Sequence, residues 1–333
     1  MDPSVILIIF LILSILIAIA IGANDETMAP LYGSRILNMK QILIVATIFA
    51  VLGAIILGEG VAKSVGGNIL QWDEIDSNIN QNAVVMTILI STAIWLIISS
   101  ALGLPISSTH STIGAIIGLG LMVGGVKGVN WGTLFSIIPL GMAWWWLLSP
   151  VVGFTVTYFL VKILQKYKRK YLKGFQDYER SEKWFSYIIF LIICITAFSR
   201  AGNDSSNAVG IVVGTSSTIN IPILLIMTGV SLAVGIMVLG RLVIKSLGKI
   251  TELHPSTAFA VQLPTAAVML IGTIQSIPLS GSHLLVASLV GLSKASNSPM
   301  KKGLWKIVAI WLLTFPISAI LAIVLYFPIS GVF

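Results

Sequence analysis

Two short motifs hold most of the residues able to do chemistry in this 333-residue chain, and each occurs twice. The first is an Asn-Asp pair, Ala23-Asn24-Asp25 and Gly202-Asn203-Asp204, at an offset of 179 residues. The second is a proline followed by hydroxyls and a histidine. Leu104-Pro105-Ile106-Ser107-Ser108-Thr109-His110 is echoed by Ile277-Pro278-Leu279-Ser280-Gly281-Ser282-His283 at an offset of 173, which Gly118 and Gly291 also keep. A carboxylate inside an apolar run costs at least ~2.5–3.5 kcal/mol to insert near a bilayer centre, so Asp25 and Asp204 need partners. A small cation suits them, because glycines (Gly22, Gly202, Gly210) permit an unwound backbone whose carbonyls join the carboxylate in replacing the hydration shell. The proline motifs have the complementary character. A helix that breaks and restarts there presents N–H groups, a partial positive charge and Ser or Thr hydroxyls, all suited to an anion.

A single copy of either motif reads equally as a capped helix end. The paired recurrence favours an anion and cations held between two halves, with Ser107 to Thr109 and Ser280 to Ser282 on the anion and Asp25 and Asp204 on the cations. Glu26, His110 and His283 are further candidates for proton or substrate contacts. Enzyme chemistry finds little support. There is no HExxH, no Cys/His metal spacing and no Gly-x-Ser-x-Gly elbow, and two similar half-sites contrast with the asymmetric set that catalysis usually needs. The one cysteine, Cys194, excludes an internal disulfide and reads as a buried apolar residue. Trp144-Trp145-Trp146 reads as lipid-facing or dimer-interface packing, and Glu252 and His254 are given no role.

The elements that must position these residues are membrane helices. Hydrophobic residues make up 56% of the chain and charged ones 10%, against roughly 25% charged in soluble domains, which excludes a water-soluble globule. Continuous apolar runs exclude an alternating β-barrel. Ten apolar units are expected at 3–22, 40–58, 83–102, 104–123, 131–164, 184–200, 220–244, 256–274, 277–292 and 304–329, the first being a retained helix and not a signal peptide. Lys162 to Lys183 contains eight basic residues and reads as a solvated connector. The expected division is a first transmembrane repeat at 1–164, a basic connector at 165–183 and a second repeat at 184–333. The fold class is therefore an all-α polytopic membrane protein. It is expected to have two inverted-topology repeats, broken helices or re-entrant hairpins, and roughly 10 to 12 membrane segments.

If every unit crosses once, seventeen of the twenty Lys and Arg residues fall on one side, leaving Lys63, Lys127 and Arg200 on the other. The positive-inside rule then puts the connector in the cytoplasm and both termini outside. Units 4 and 9 are short, and a re-entrant path for either would demand another crossing, sought within 131–164. Basic residues confined to such loops explain the net charge of +8 without a nucleic-acid partner.

With these motifs the chain resembles the inorganic phosphate transporter (PiT) family, over nearly its whole length. That family repeats Gly-Ala-Asn-Asp-Val-Ala-Asn-Ala, each copy followed by Pro-x-Ser-Thr-Thr-His, and Gly240 to Leu253 is also similar to its members. The resemblance implies a multi-pass cell-membrane protein, commonly a homodimer in the lipid bilayer, that imports inorganic phosphate with Na+ or H+ and needs no resident cofactor. It places Asn24, Asn203 and the tips Ser107, Ser108, Thr109, Ser280, Gly281 and Ser282 at the anion. Asp25, Asp204 and Asn207 go to the cations, with Na+ at Asp25 and Asp204. The chain departs from the pattern at Met28, in place of the motif's second Asn, at Ala201-Gly202, at Gly281, in place of the first Thr, and at Ala50, where many relatives carry a glutamate. These departures bear on the number of sodium ions and on the choice between phosphate and sulfate or another tetrahedral oxyanion. An anion channel and a membrane-embedded hydrolase are the rival classes.

Overall fold

The computed structural model describes residues 3–102, 106–137, 141–215, 220–249, 251–298 and 304–333. Each expected apolar unit becomes helical: α1 (Pro3–Ala23), α3 (Met39–Gly67), α4 (Gln81–Ala101), α5 (Ser108–Gly124), α7 (Met142–Tyr171), α8 (Phe175–Val213), α9 (Ile221–Gly235) with α10 (Arg241–Leu247), α11 (Pro255–Ile274), α12 (Gly281–Ser296) and α13 (Leu304–Ser330). Two five-residue helices, α2 (Ala29–Gly33) and α6 (Trp131–Phe135), lie between them, and a π turn over Ile236–Gly240 joins α9 to α10. Polar side chains mark the restarts. Asn38, Asn80, Ser107, Asn130, Asn220 and Ser280 each accept a backbone N–H from two or three residues on. Among the described residues nine segments are long and apolar enough to cross a bilayer. α12, with 16 residues, reaches only about 24 Å.

The spine is α8, which exceeds the expected 184–200 unit at both ends. α3 lies beside it in the same direction, and the approach is so close that glycine is required. A Cβ on Gly53 would sit 2.0 Å from the Phe198 carbonyl oxygen, and one on Gly66 would sit 1.9 Å from that of Gly210. α11 also runs parallel to α8, in constant register: Ser256 N–H donates to Glu182, Thr273 Oγ1 to the Ser199 carbonyl, and Asn203 Nδ2 to the Ile277 carbonyl, each pair 74 residues apart. The expected solvated connector is mostly helix, since α7 runs to Tyr171 and α8 restarts at Phe175. Glu182 fastens these ends through Lys168 and Ser256.

The hairpins correct the expected chain path. α4 and α5 are joined at a tip that approaches the motif region, and an isolated bridge from Leu70 to Val129 returns the chain after α5 to the end of the bundle where α3 finishes. α11 and α12 form the corresponding hairpin. It starts at the Lys168–Glu182 end, and α12 returns along α7, with Gly291 packed on Phe154 and the tip carbonyl of Pro278 on Trp146. Each hairpin thus uses two units, 3 with 4 and 8 with 9, where the sequence suggested units 4 and 9 alone. Two units that go in and come back restore the side just as two crossings would. No extra crossing is needed in 131–164, which supplies only α6 and α7 among the described residues.

Candidate functional site

The two Asn-Asp copies occupy different backbones. Gly22 and Ala23 remain helical, and the chain breaks over Asn24–Met28 before α2. Pro30 accounts for the break, because proline lacks the N–H that would bond the Glu26 carbonyl and its ring collides with that group. The N–H of Thr27 turns instead to Asp25 Oδ1, at 2.8 Å. At the matching position of the second copy stands Val209, and α8 continues unbroken through Gly202–Asn207. The expectation of an unwound backbone therefore holds for the first copy and is corrected for the second. There, Gly202 and Gly210 serve packing, since Cβ atoms on them would meet Leu57 and Val65 of α3 at 2.6 and 2.7 Å.

Both hairpin tips converge on these motifs. Thr109 Oγ1 donates to the Leu279 carbonyl at 2.8 Å, and Ser282 Oγ donates to the Ile106 carbonyl at 3.1 Å. Adding 173 to Thr109 and Ile106 gives Ser282 and Leu279, so the two bonds exchange under the sequence repeat. The motif asparagines clamp the tips. Asn24 Nδ2 donates to the Ile106 carbonyl at 3.4 Å, while Asn203 donates to Ile277 at 2.8 Å and accepts the Leu279 N–H at 2.9 Å. Ser107 and Ser280 accept the N–H groups of His110 and His283, at 3.1 and 3.3 Å. Leu104 and Pro105 of the first motif lie outside the described residues.

Three carboxylates meet beneath the tips around a residue that the sequence assigned to an outer loop, Arg200. Its Nη1 lies 2.7 Å from Glu26 Oε1 and 3.5 Å from Asp25 Oδ1, and its Nε lies 3.0 Å from Asp204 Oδ2. Further bonds run from Nη1 to Thr27 Oγ1 at 3.3 Å and from Nη2 to Ser282 Oγ at 3.2 Å. Ser108 donates to the other Asp204 oxygen at 2.9 Å, and Asn207 Nδ2 reaches the Ser108 and Thr109 hydroxyls at 3.3 and 3.2 Å. The cluster is secluded: the Asp25 side chain is 19% exposed, and those of Glu26, Arg200 and Asp204 no more than 7%. Two buried acceptor oxygens, Glu26 Oε2 and Asn207 Oδ1, have no hydrogen-bond partner among the described residues.

The structure thus gathers Asn24, Asp25, Glu26, Ser107, Ser108, Thr109, Asn203, Asp204, Asn207, Ser280, Gly281 and Ser282 into one region. His110 and His283 are brought together, but elsewhere. Their rings lie 4.5 Å apart and pack on Trp146 and Trp311, where they help to line an apolar cavity of about 460 Å³. Trp146, expected to serve in lipid-facing or dimer-interface packing, also braces the second tip, for its Nε1 donates to the Pro278 carbonyl at 2.8 Å. Arg200 and Thr27 were missed. Arg200 had a legible signal in its i,i+4 spacing to Asp204, which puts both on one helix face. Thr27 had none. Met28 is buried in the core.

Known proteins share this architecture. A provisionally named phosphate permease of Thermococcus kodakarensis is 26% identical, with 98% of each chain covered. One from Pyrococcus abyssi is also 26% identical over 98% of each, and one from Haemophilus influenzae is 25% identical over 95% of this chain and 94% of its own. A solved structure, described as the sodium-dependent phosphate transporter, superposes with a TM-score of 0.84 at 25% identity and covers 99% of this chain and 100% of its own. Residues 21–322 match the phosphate transporter family, so both motif pairs fall within the match, and the chain belongs to that family.

Proposed function

We propose that this protein imports inorganic phosphate by symport with Na+ or H+, through alternating access of a site between two inverted repeats, 1–164 and 184–333. The carrying observation is the meeting of both hairpin tips over the part-buried Asp25 and the buried Glu26 and Asp204. A divalent anion entering a negative interior meets a cost of ~2.3 kcal/mol per charge per 100 mV, and at least two accompanying cations cancel it. Asp25 and Asp204 supply negative charge for those cations, and the orphaned oxygens of Glu26 and Asn207 are hard ligands of the kind Na+ takes. Tip hydroxyls and helix starts suit the anion. Rocking of one part of each repeat against the other parts the tips at Thr109–Leu279 and Ser282–Ile106 and opens the site.

Carboxylates beside the anion favour phosphate over sulfate. Hydrogen phosphate keeps a proton that it can donate to a carboxylate, whereas sulfate offers only acceptors and leaves buried acceptors facing each other. The test is uptake of labelled phosphate and of labelled sulfate into proteoliposomes, with sodium and proton gradients imposed separately. Concentrative phosphate uptake driven by one gradient is expected. Sulfate accumulation would assign the other oxyanion, and flux that never exceeds equilibrium would indicate a channel.

A further inference from the structure

Arg200 breaks the symmetry of the site. Its counterpart in the first repeat, 179 residues earlier, is Ile21, an apolar residue packed in the core. A second asymmetry faces it. At offset 173, the partner of Ser108 is Gly281, and a Cβ on Gly281 would sit 3.0 Å from Arg200 Cδ and Nε and 3.1 Å from Cζ. A side chain at 281 would thus press tightly against the arginine, which would have to give by a few tenths of an ångström. The hydrogen-bond pattern follows suit. Asp204 has both the guanidinium, at 3.0 Å, and the Ser108 hydroxyl as partners. Asp25, whose repeat-related tip position is the glycine at 281, has no tip hydroxyl bonded to it among the described residues, and it lies 3.5 Å from the guanidinium while accepting the Thr27 N–H.

Three carboxylates in so small a volume repel one another unless cations lie among them. A guanidinium there stays charged under all conditions in which the protein is folded, and its planar fork suits several carboxylates at once. Unlike Na+ or H+, it cannot leave with the substrate.

We infer that Arg200 is a resident cation standing in place of one co-transported cation among Asp25, Glu26 and Asp204, and that Gly281 leaves room for it. The chain accordingly moves one cation fewer per phosphate than it would without the arginine. This inference rests on the symport reading, and it concerns the number of cations, not the identity of the anion.

The test compares wild type with Arg200→Gln and with Arg200→Gln/Gly281→Ser, which makes the second tip resemble the first. In proteoliposomes the charge moved per labelled phosphate, read from the membrane potential that just halts net flux, should rise by one elementary charge in a variant that transports. An unchanged ratio would overturn the inference. Where neither variant transports, the same purified proteins are melted in detergent across a range of sodium concentration and pH. Each variant should acquire stabilisation by Na+ or by protons that wild type lacks. A variant whose melting responds to both as wild type does, or that folds at no sodium concentration or pH, would show that Arg200 is architectural and sink the proposal. Wild type that accumulates no phosphate under any gradient would refute the symport reading alone, because the melting comparison still reports on Arg200.

Discussion

Asp204 accepts from both Arg200 and Ser108 while lying almost wholly out of solvent. Asp204→Asn keeps its size and removes its charge, and Asp25→Asn does the same at the other copy. Each should abolish concentrative uptake of labelled phosphate, and normal accumulation by either variant would remove that residue from the cation site. Asn203→Ala tests a different role. It leaves the Leu279 N–H and the Ile277 carbonyl without their partner, at about 1–3 kcal/mol for each buried group stranded. A lower melting temperature and slower uptake are expected, and unaltered melting would mean that the tip is held without Asn203. The recurrence of Asn-Asp and Ser-His made these residues legible, because chance rarely repeats two motifs in the same order. Arg200 is not repeated, and at the end of an apolar run a lone basic residue reads as a loop charge. Its burial depends on contacts from the α1 break and the second hairpin, up to 174 residues away in sequence.

At the scale of elements, one residue decides whether the motif sits on a helix or a break. Pro30 stops α1 from continuing, whereas Val209 lets α8 run on. That difference was present in the sequence, yet the glycines beside both motifs pointed toward unwinding in both, and in the structure they bring helices into contact. Gly53 gives the measurable case. Its added Cβ would overlap the Phe198 backbone at 2.0 Å, while one on Gly67 of the same helix would meet nothing within 4 Å. Gly53→Ala should therefore destabilise the protein by about 1–3 kcal/mol, read as a fall in detergent melting temperature, with Gly67→Ala close to wild type. Equal melting of the two variants would mean that α3 and α8 can separate without cost. Apolar run lengths located the helices well, because burial in lipid needs only hydrophobicity. They could not tell a crossing from half a hairpin, since tip contacts such as Thr109–Leu279 join segments far apart in sequence.

For the whole molecule, the hairpins decide what the charge distribution means. Because two units that turn back restore the side just as two crossings do, the segregation of Lys and Arg is the same on either path. It even sharpens, since Arg200 leaves the minority set for the site and only Lys63 and Lys127 remain there. The positive-inside rule applied to that distribution predicts that the turn between α7 and α8 faces the cytoplasm. Gly174 in this turn offers a reporter: a side chain added there meets nothing within 4 Å, and the native Cys194 is buried. In a Cys194→Ser background, Gly174→Cys should resist a membrane-impermeant maleimide in intact cells and react in inside-out vesicles. Labelling in intact cells would put the basic end outside. The same measurement bears on the proposed transport, because import by alternating access would require the site to open toward the Lys168–Glu182 end when it delivers its load. An inverted chain would make that end the entrance.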